Sequence, residues 1–376
     1  MENKIFLTNQ IITYIGNKRK LLNDIDLEVE HILKELNIQK GNLCDLFSGS
    51  GIVARSLKKY SNMLYVNDLE KYSCIINECY LTNKSDFDEN RYKIYLDKIL
   101  NFPTVLDGII TKNYSPEDDN DIKYGERVFY THKNAIIIDT IRTAIDECVP
   151  NEYKKFYLAP LLYEASIHTN TSGVFKGFYK AKKTGIGKFG GDGENSLSRI
   201  CGEISLKKPV FSNYDCDKII LNEDANNVVK KLKNLDIAYL DPPYNQHPYS
   251  SNYFMLNTIV ENRIGNNLSK VSGIPDDWNK SSYNKKTDAL KSFEDLISNL
   301  DSKYIIISYN NEGIISYDDM CNMLSKYGTV EINNIEYNTF KGSRNLKRRD
   351  KHTIEYLFVL KKDGEQKIIV KNKGLF

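Results

Sequence analysis

The stretch NLCDLFSGSGIVARSLKKYSNMLYVND, residues 42–68, sets the reading of the whole chain. NLCDLF (42–47) is a short apolar run that reads as a buried strand, and SGSG follows at once. Residues 52 to about 60 then take helical spacing, and MLYVND (63–68) is a second strand that ends in an acid. Strand, glycine turn, helix, strand is the opening of a parallel, doubly wound α/β sheet. Gly49 and Gly51 permit tight backbone geometry and close ligand approach. The helix N-terminus adds a positive dipole end. Asp68 can accept hydrogen bonds from a ribose hydroxyl pair.

G-x-G-x-x-A followed by an acid suits a nicotinamide dinucleotide as well as it suits S-adenosylmethionine, and a plain structural turn is the third option. Asp45 shifts the balance. An acid at the end of the first strand would repel a pyrophosphate but suits a ligand carrying an ammonium and a sulfonium. Its bland alternative is to cap the following turn.

Working outward, residues 17–36 space Leu21, Leu22, Ile25, Val29, Ile32, Leu33 and Leu36 as an amphipathic helix. KIILNED (218–224), DIAYLD (236–241) and YIIISYN (304–310) resume the strands, and TVEINNIEY (329–337) with TIEYLFVLKK (353–362) reads as a closing antiparallel pair. Between about 81 and 215 the pattern is helical and irregular. A crossover rarely needs so many residues, so the expectation is a Rossmann-like sheet domain made of 1–80 and 216–376, with a mainly helical inserted domain at 81–215.

With 376 residues and a net charge of only +2, the chain can build a large core, and any basic surface must be local. No apolar run approaches the ~18 residues of a membrane span, and the N-terminus lacks a signal-peptide core. Seven cysteines with no C-x-x-C pair read as reduced thiols. These features predict a cytoplasmic protein with no membrane association and no metal.

LDPPYNQHPYSSNY (240–253) supplies the chemistry. Each proline fixes its own φ, and Asp241 before Pro242 is pushed to an extended conformation. The corner presents a carboxylate, a carbonyl and an aromatic face at the carboxyl end of a strand, where open α/β sheets bind ligands. That trio matches a flat base with an exocyclic amine: two acceptors take the amine hydrogens, and Tyr244 stacks on the ring. Hydrogen bonds to Asp241 and the Pro242 carbonyl would localise the nitrogen lone pair for attack on a methyl sulfonium. The alternative is a strand-ending turn.

With these residues in view, the chain resembles the Dam-like DNA adenine-N6 methyltransferases, which include many restriction–modification enzymes. YIGNKRKLL (14–22) looks like the N-terminal cofactor motif, DLFSGSG like the glycine motif, YVND (65–68) like the ribose acid, NEDA (222–225) like the adenine-side segment, and LDPPY like the catalytic motif. The resemblance implies that Tyr14, Gly16 and Lys18 flank the cofactor's amino-acid end, and that Asp45, Phe47, Gly49 and Gly51 line its pocket. Asp68 would hold the ribose and Asp224 the adenine side, with Asp241, Pro242, Pro243 and Tyr244 at the target base. NDLE departs from the aspartate-x-asparagine usual in Dam itself, which leaves the role of Glu70 open. Lys18 has a bland alternative as a solvated lysine at a helix start. S-adenosylmethionine is the implied cofactor, double-stranded DNA the partner, and a separately acting restriction endonuclease the implied companion.

Two basic segments suit DNA. Residues 171–208 hold eight basic residues (176, 180, 182, 183, 188, 199, 207, 208) against three acids (192, 194, 203). Their lysines Lys176, Lys180, Lys182 and Lys183, on flexible glycine-rich backbone, suit phosphates, while Asn170, Ser172 or Arg199 could reach base edges. KGSRNLKRRDK (341–351) adds Arg344, Arg348 and Arg349. Either segment could instead be a solvated loop or hairpin. The target amine lies inside the duplex, so the base must leave the stack, with Tyr244 and then Tyr249 or Tyr253 as candidate receivers. Rival readings are an RNA or protein methyltransferase using the same corner, a nicotinamide oxidoreductase, and a non-enzymatic DNA-binding module.

Overall fold

A computed structural model describes residues 1–191, 196–338 and 352–371. The chain divides into two compact units: residues 1–17, 70–213 and 249–279 form one, and residues 18–69, 214–248 and 280–376 the other.

The second unit carries all eight described strands: β1 Gly41–Asp45, β2 Ser61–Asn67, β3 Asp217–Leu221, β4 Leu235–Leu240, β5 Ser302–Asn310, β6 Gly328–Asn338, β7 His352–Lys362 and β8 Lys367–Lys371. They form one sheet in the order β3-β2-β1-β4-β5-β7-β6-β8. β3 through β5 run parallel, and β7 is antiparallel to both β5 and β6. The expected α/β doubly wound fold and closing antiparallel pair are therefore present. β1 and β4 are neighbours, with β2 and β3 on one side and β5 on the other. The winding reverses at this seam, the switch point where such sheets bind ligands.

β1 and β4 are almost wholly buried, as their apolar runs require, and they pack Cys44, Ala238 and Leu240 into a core with Phe293, Leu296 and Ile305. The expected helix after the glycine turn is an α-helix over Ile52–Leu57 that tightens to a 3-10 turn at Lys58–Tyr60. The amphipathic stretch likewise starts as a 3-10 turn, Lys18–Leu21, before the helix Leu22–Glu35. β8 had no counterpart in the sequence reading: its KIIVK pairs with β6 at the edge of the sheet, and Ile368, Ile369 and Val370 are exposed.

The first unit is helical, built on Lys71–Tyr80, Glu89–Leu100, His132–Cys148, Asn151–Ile167 and Phe254–Glu261. It differs from the expected 81–215: it takes in 1–17, 70–80 and 249–279 as well, and stops at 213. Phe254, Met255, Leu256 and Ile259, just past the proline corner, belong to its core along with Phe6 and Ile12. Two buried side chains tie its helix ends. Asp139 accepts from the Ile110 amide (3.0 Å) and from the Thr111 amide and hydroxyl (both 2.7 Å), capping the helix Ile109–Tyr114, whose own N-cap is the side-chain-less Gly108. A Cβ at Gly108 would meet Asp139 Cγ at 2.1 Å, so the cap requires glycine there. Arg142 donates to the carbonyls of Ile259 (2.7 Å) and Val260 (2.9 Å), which end the helix Phe254–Glu261.

Candidate active site

The site is built where β1 and β4 end. Gly49 (φ +51°) and Gly51 (φ +76°) both adopt the left-handed backbone that glycine tolerates. Gly51 leads directly into the helix Ile52–Leu57, and the Arg55 amide bonds its carbonyl at 2.9 Å. The Gly49 amide donates to Asp68 Oδ2 at 2.7 Å, so the expected ribose acid also shapes the glycine turn.

Asn67, which the sequence reading passed over, knits three strand ends together. Its side-chain amide donates to the carbonyls of Leu46 (3.2 Å) and Glu223 (3.1 Å), and its oxygen accepts from the Glu223 amide (3.2 Å). Buried, and polar at the end of an apolar strand, it was readable as a strand-end tie.

Asp45 is fully buried, and among the described residues neither of its oxygens has a hydrogen-bond partner. Burial, with Asp241 and Asp68 nearby, holds its carboxyl well above the usual carboxylate range; the Phe47 and Ala54 amides, close by but short of hydrogen-bond geometry, offset this only in part. A buried acid left so is costly, and it fits a ligand that brings a cationic donor. Phe47 packs edge-on to Tyr283 at 5.2 Å. Asp224 accepts from the Asn226 amide at 2.9 Å as the cap of the helix Ala225–Val228; burial first, and then Asp224 and Asp295 nearby, raise the Tyr283 phenol. Asp45, Phe47, Gly49, Gly51, Asp68 and Asp224 are thus gathered in the sheet unit. Tyr14 and Gly16 fall in the helical unit, where Tyr14 stacks on Tyr249 (5.0 Å) and Tyr253 (4.6 Å).

The proline corner follows β4. Pro242 is buried, while Pro243 and Tyr244 are half-buried. The Tyr244 carbonyl accepts from the Ile314 amide at 2.8 Å, and its ring meets Tyr309 edge-on at 6.3 Å. Lys18, the expected cofactor-end lysine, is buried against the corner: Nζ lies 2.9 Å from Asp241 Oδ1 and 3.1 Å from Glu355 Oε1. Burial opposes its charge, but Asp241 and Glu355 together keep it well above the usual lysine range. Asp241 is pushed up to about 6, by burial first; Lys18 pulls it down and Glu355 pushes it up. A carboxylate, a carbonyl and an aromatic ring stand at the seam beside an acid that wants a cation.

Several expected contacts resolve differently. Tyr253 is fully buried, and its hydroxyl accepts from the Ile15 amide at 2.6 Å, so it is not placed to receive a base. Asn170 is also fully buried: it donates to the Val128 (2.8 Å) and Lys188 (2.9 Å) carbonyls and accepts from the Gly190 amide (2.9 Å). The Arg199 guanidinium is spent on the carbonyls of Ile167, Thr169 and Thr171. Both hold the backbone and are not free to read base edges, because loop carbonyls needed donors. Residues 179–188 of the lysine-rich stretch form a short hairpin. Ala181 and Ile186 bond at 2.8 Å, Lys188 and Tyr179 at 2.9 Å, and Lys182 and Lys183 are exposed at its tip. Lys180 is exposed beside it, over the Phe178 ring, and Lys176 is half-buried. Arg344, Arg348 and Arg349 lie outside the described residues.

Glu70 is buried within the helical unit, where it accepts from Ser250 and from Asn257 at 2.6 Å. No helix among the described residues is long and apolar enough to cross a membrane.

The family model for D12 class N6 adenine-specific DNA methyltransferases matches residues 14–323. The type II methyltransferase M.NlaIII of Neisseria lactamica is 30% identical over 358 residues, covering 93% of this chain and 99% of that protein. M.CviAII, a type II methyltransferase of Paramecium bursaria Chlorella virus 1, is 33% identical over 92% of this chain and 97% of its own length. The StsI modification methylase of Streptococcus sanguinis is 32% identical over 96% of this chain, which spans 53% of that longer protein.

Proposed function

The chain belongs to the D12 class N6 adenine-specific DNA methyltransferases, and from that membership we propose that it methylates an adenine extruded from duplex DNA, using S-adenosylmethionine as donor. The observation that carries the reading is the seam itself, where the orphaned Asp45 and the Asp241–Pro242–Pro243–Tyr244 corner end adjacent parallel strands.

Asp45 would meet the donor's ammonium, Asp68 its ribose, and Phe47 and Asp224 its adenine side. S-adenosylmethionine bound there would supply a methyl on a positively charged sulfur, where attack forms the nitrogen–carbon bond as the carbon–sulfur pair stays on sulfur. Asp241 and the Pro242 carbonyl accept the two amine hydrogens of the target adenine and leave the nitrogen lone pair free to attack. Tyr244 stacks on the base. Asp241 then takes the proton the nitrogen must shed. Positioning and fixed charge supply most of the rate.

Lys182 and Lys183 on the hairpin tip contact phosphates. The type II relatives support a role in protecting the sites of a cognate restriction endonuclease. The deciding experiment is transfer of a labelled methyl group to duplex DNA, RNA and protein, with nucleoside analysis of the product. N6-methyladenine in duplex DNA, lost in Asp241→Asn, is expected. Label in RNA or protein alone, or undiminished transfer by Asp241→Asn, would refute the assignment.

A further inference from the structure

One buried charge has no part in that chemistry. Glu355 sits on β7, 1% exposed and beyond residue 323, where the family match ends. Its Oε1 accepts from the Ser308 hydroxyl at 2.8 Å and lies 3.1 Å from Lys18 Nζ. The same ammonium is 2.9 Å from Asp241 Oδ1. One cation is therefore shared by two carboxylates where little water reaches. Burying a second acid is costly, and Lys18 already has Asp241 to balance it.

We propose, resting on the reading above, that Glu355 is a positioning residue for methyl transfer: it draws Lys18 partly off Asp241, so that the lysine neutralises the Asp241 carboxylate less and leaves it a better acceptor for the proton of the adenine amine. During transfer the positive charge passes from sulfur to nitrogen. The nitrogen lone pair becomes the new bond to carbon, the old bonding pair remains on sulfur, and the surplus nitrogen proton goes to Asp241. A lysine paired with Asp241 alone would cancel that carboxylate and oppose the charge arriving on nitrogen. With Glu355 present, the ionised trio carries a net −1, the sign the transition state needs. Asp45 is within electrostatic reach of Asp241, and Tyr239 and Tyr244 lie near Lys18; the substitutions below leave all three in place.

The test is the pH dependence of kcat/KM for duplex DNA in Glu355→Gln. With the second acid gone, Lys18 acts on Asp241 alone. The acid limb is expected to move to lower pH by about one unit, and the rate above the limb to fall about tenfold. A slower enzyme with an unmoved limb has merely lost structure at 355, and this overturns the proposal; so does an unchanged rate. Glu355→Asp keeps the charge and is expected to retain the wild-type limb and at least about a third of the rate. A tenfold loss in Glu355→Asp overturns the proposal, and this variant decides the matter if Gln at 355 does not fold. Wild-type enzyme and Asp241→Asn run alongside: if wild type yields no N6-methyladenine, the reading of the site fails, whatever Glu355 does.

Discussion

Replacing Lys18 with Met leaves Asp241 and Glu355 without the cation that lies about 3 Å from each. Asp241 works as an anion, so kcat/KM falls as pH drops, and with Asp241 at about 6 it is half lost near that pH. At pH 7.5 only about 3% of wild-type Asp241 then carries a proton. An opposite charge a few ångströms away lowers a carboxyl by about 1–3 units. Losing Lys18 should therefore lift Asp241 to about 8, so that about three-quarters is protonated at pH 7.5. Activity at pH 7.5 falls about fourfold from titration alone and returns as pH rises above about 9. Stability follows the same group. An acid whose folded-state affinity for protons exceeds its unfolded one costs nothing at low pH, and the cost appears as pH rises between the two values. The variant should thus lose stability from about pH 4 to about pH 8. The assay is initial rates of labelled methyl transfer to duplex DNA from about pH 5.5 to 9.5, with circular dichroism at each pH to confirm folding. An acid limb that stays put, or moves to lower pH, would refute the placement of Lys18 on Asp241.

Two further outcomes concern the helical unit. DNA affinity should fall steeply with salt, and Lys182→Ala with Lys183→Ala should reduce the slope of log affinity against log salt by about 2; filter binding across salt concentrations measures it, and an unchanged slope removes the hairpin tip from the interface. Gly108→Ala drives a methyl into the Asp139 cap and should cost about 2–3 kcal/mol in urea unfolding. Near-wild-type stability there would mean that Asp139 can yield without losing its three hydrogen bonds.

The sheet was legible because its central strands are continuous apolar runs, each ended by a marked turn. NLCDLF and DIAYLD can hardly be anything but buried, and glycine or proline stops both. β8 was missed because KIIVK is short and sits at an edge, with no buried face to impose a pattern. The proline corner was readable from backbone restriction alone. The Lys18–Asp241–Glu355 trio was not, because it joins residues from three distant parts of the chain and no local pattern links them. Asn170 and Arg199 misled for a related reason. A polar side chain in a basic loop looks available for DNA until the loop's own carbonyls and amides are counted, and here they take both residues. The helix after the corner also changed unit, since Phe254 and Met255 are apolar enough for either core.

The seam between β1 and β4 has a consequence for how the molecule comes to be. The Asn42 amide bonds the Asp236 carboxylate at 2.9 Å across 194 positions of sequence, and the Leu43↔Ile237 register sits beside it. Closing so long a loop is entropically expensive and slow for a flexible chain. Most of the intervening residues, 70–213, belong to a unit with its own core. If that unit collapses first, it shortens the effective loop, and the two strand ends meet late. The acidic seam is then among the last features to form.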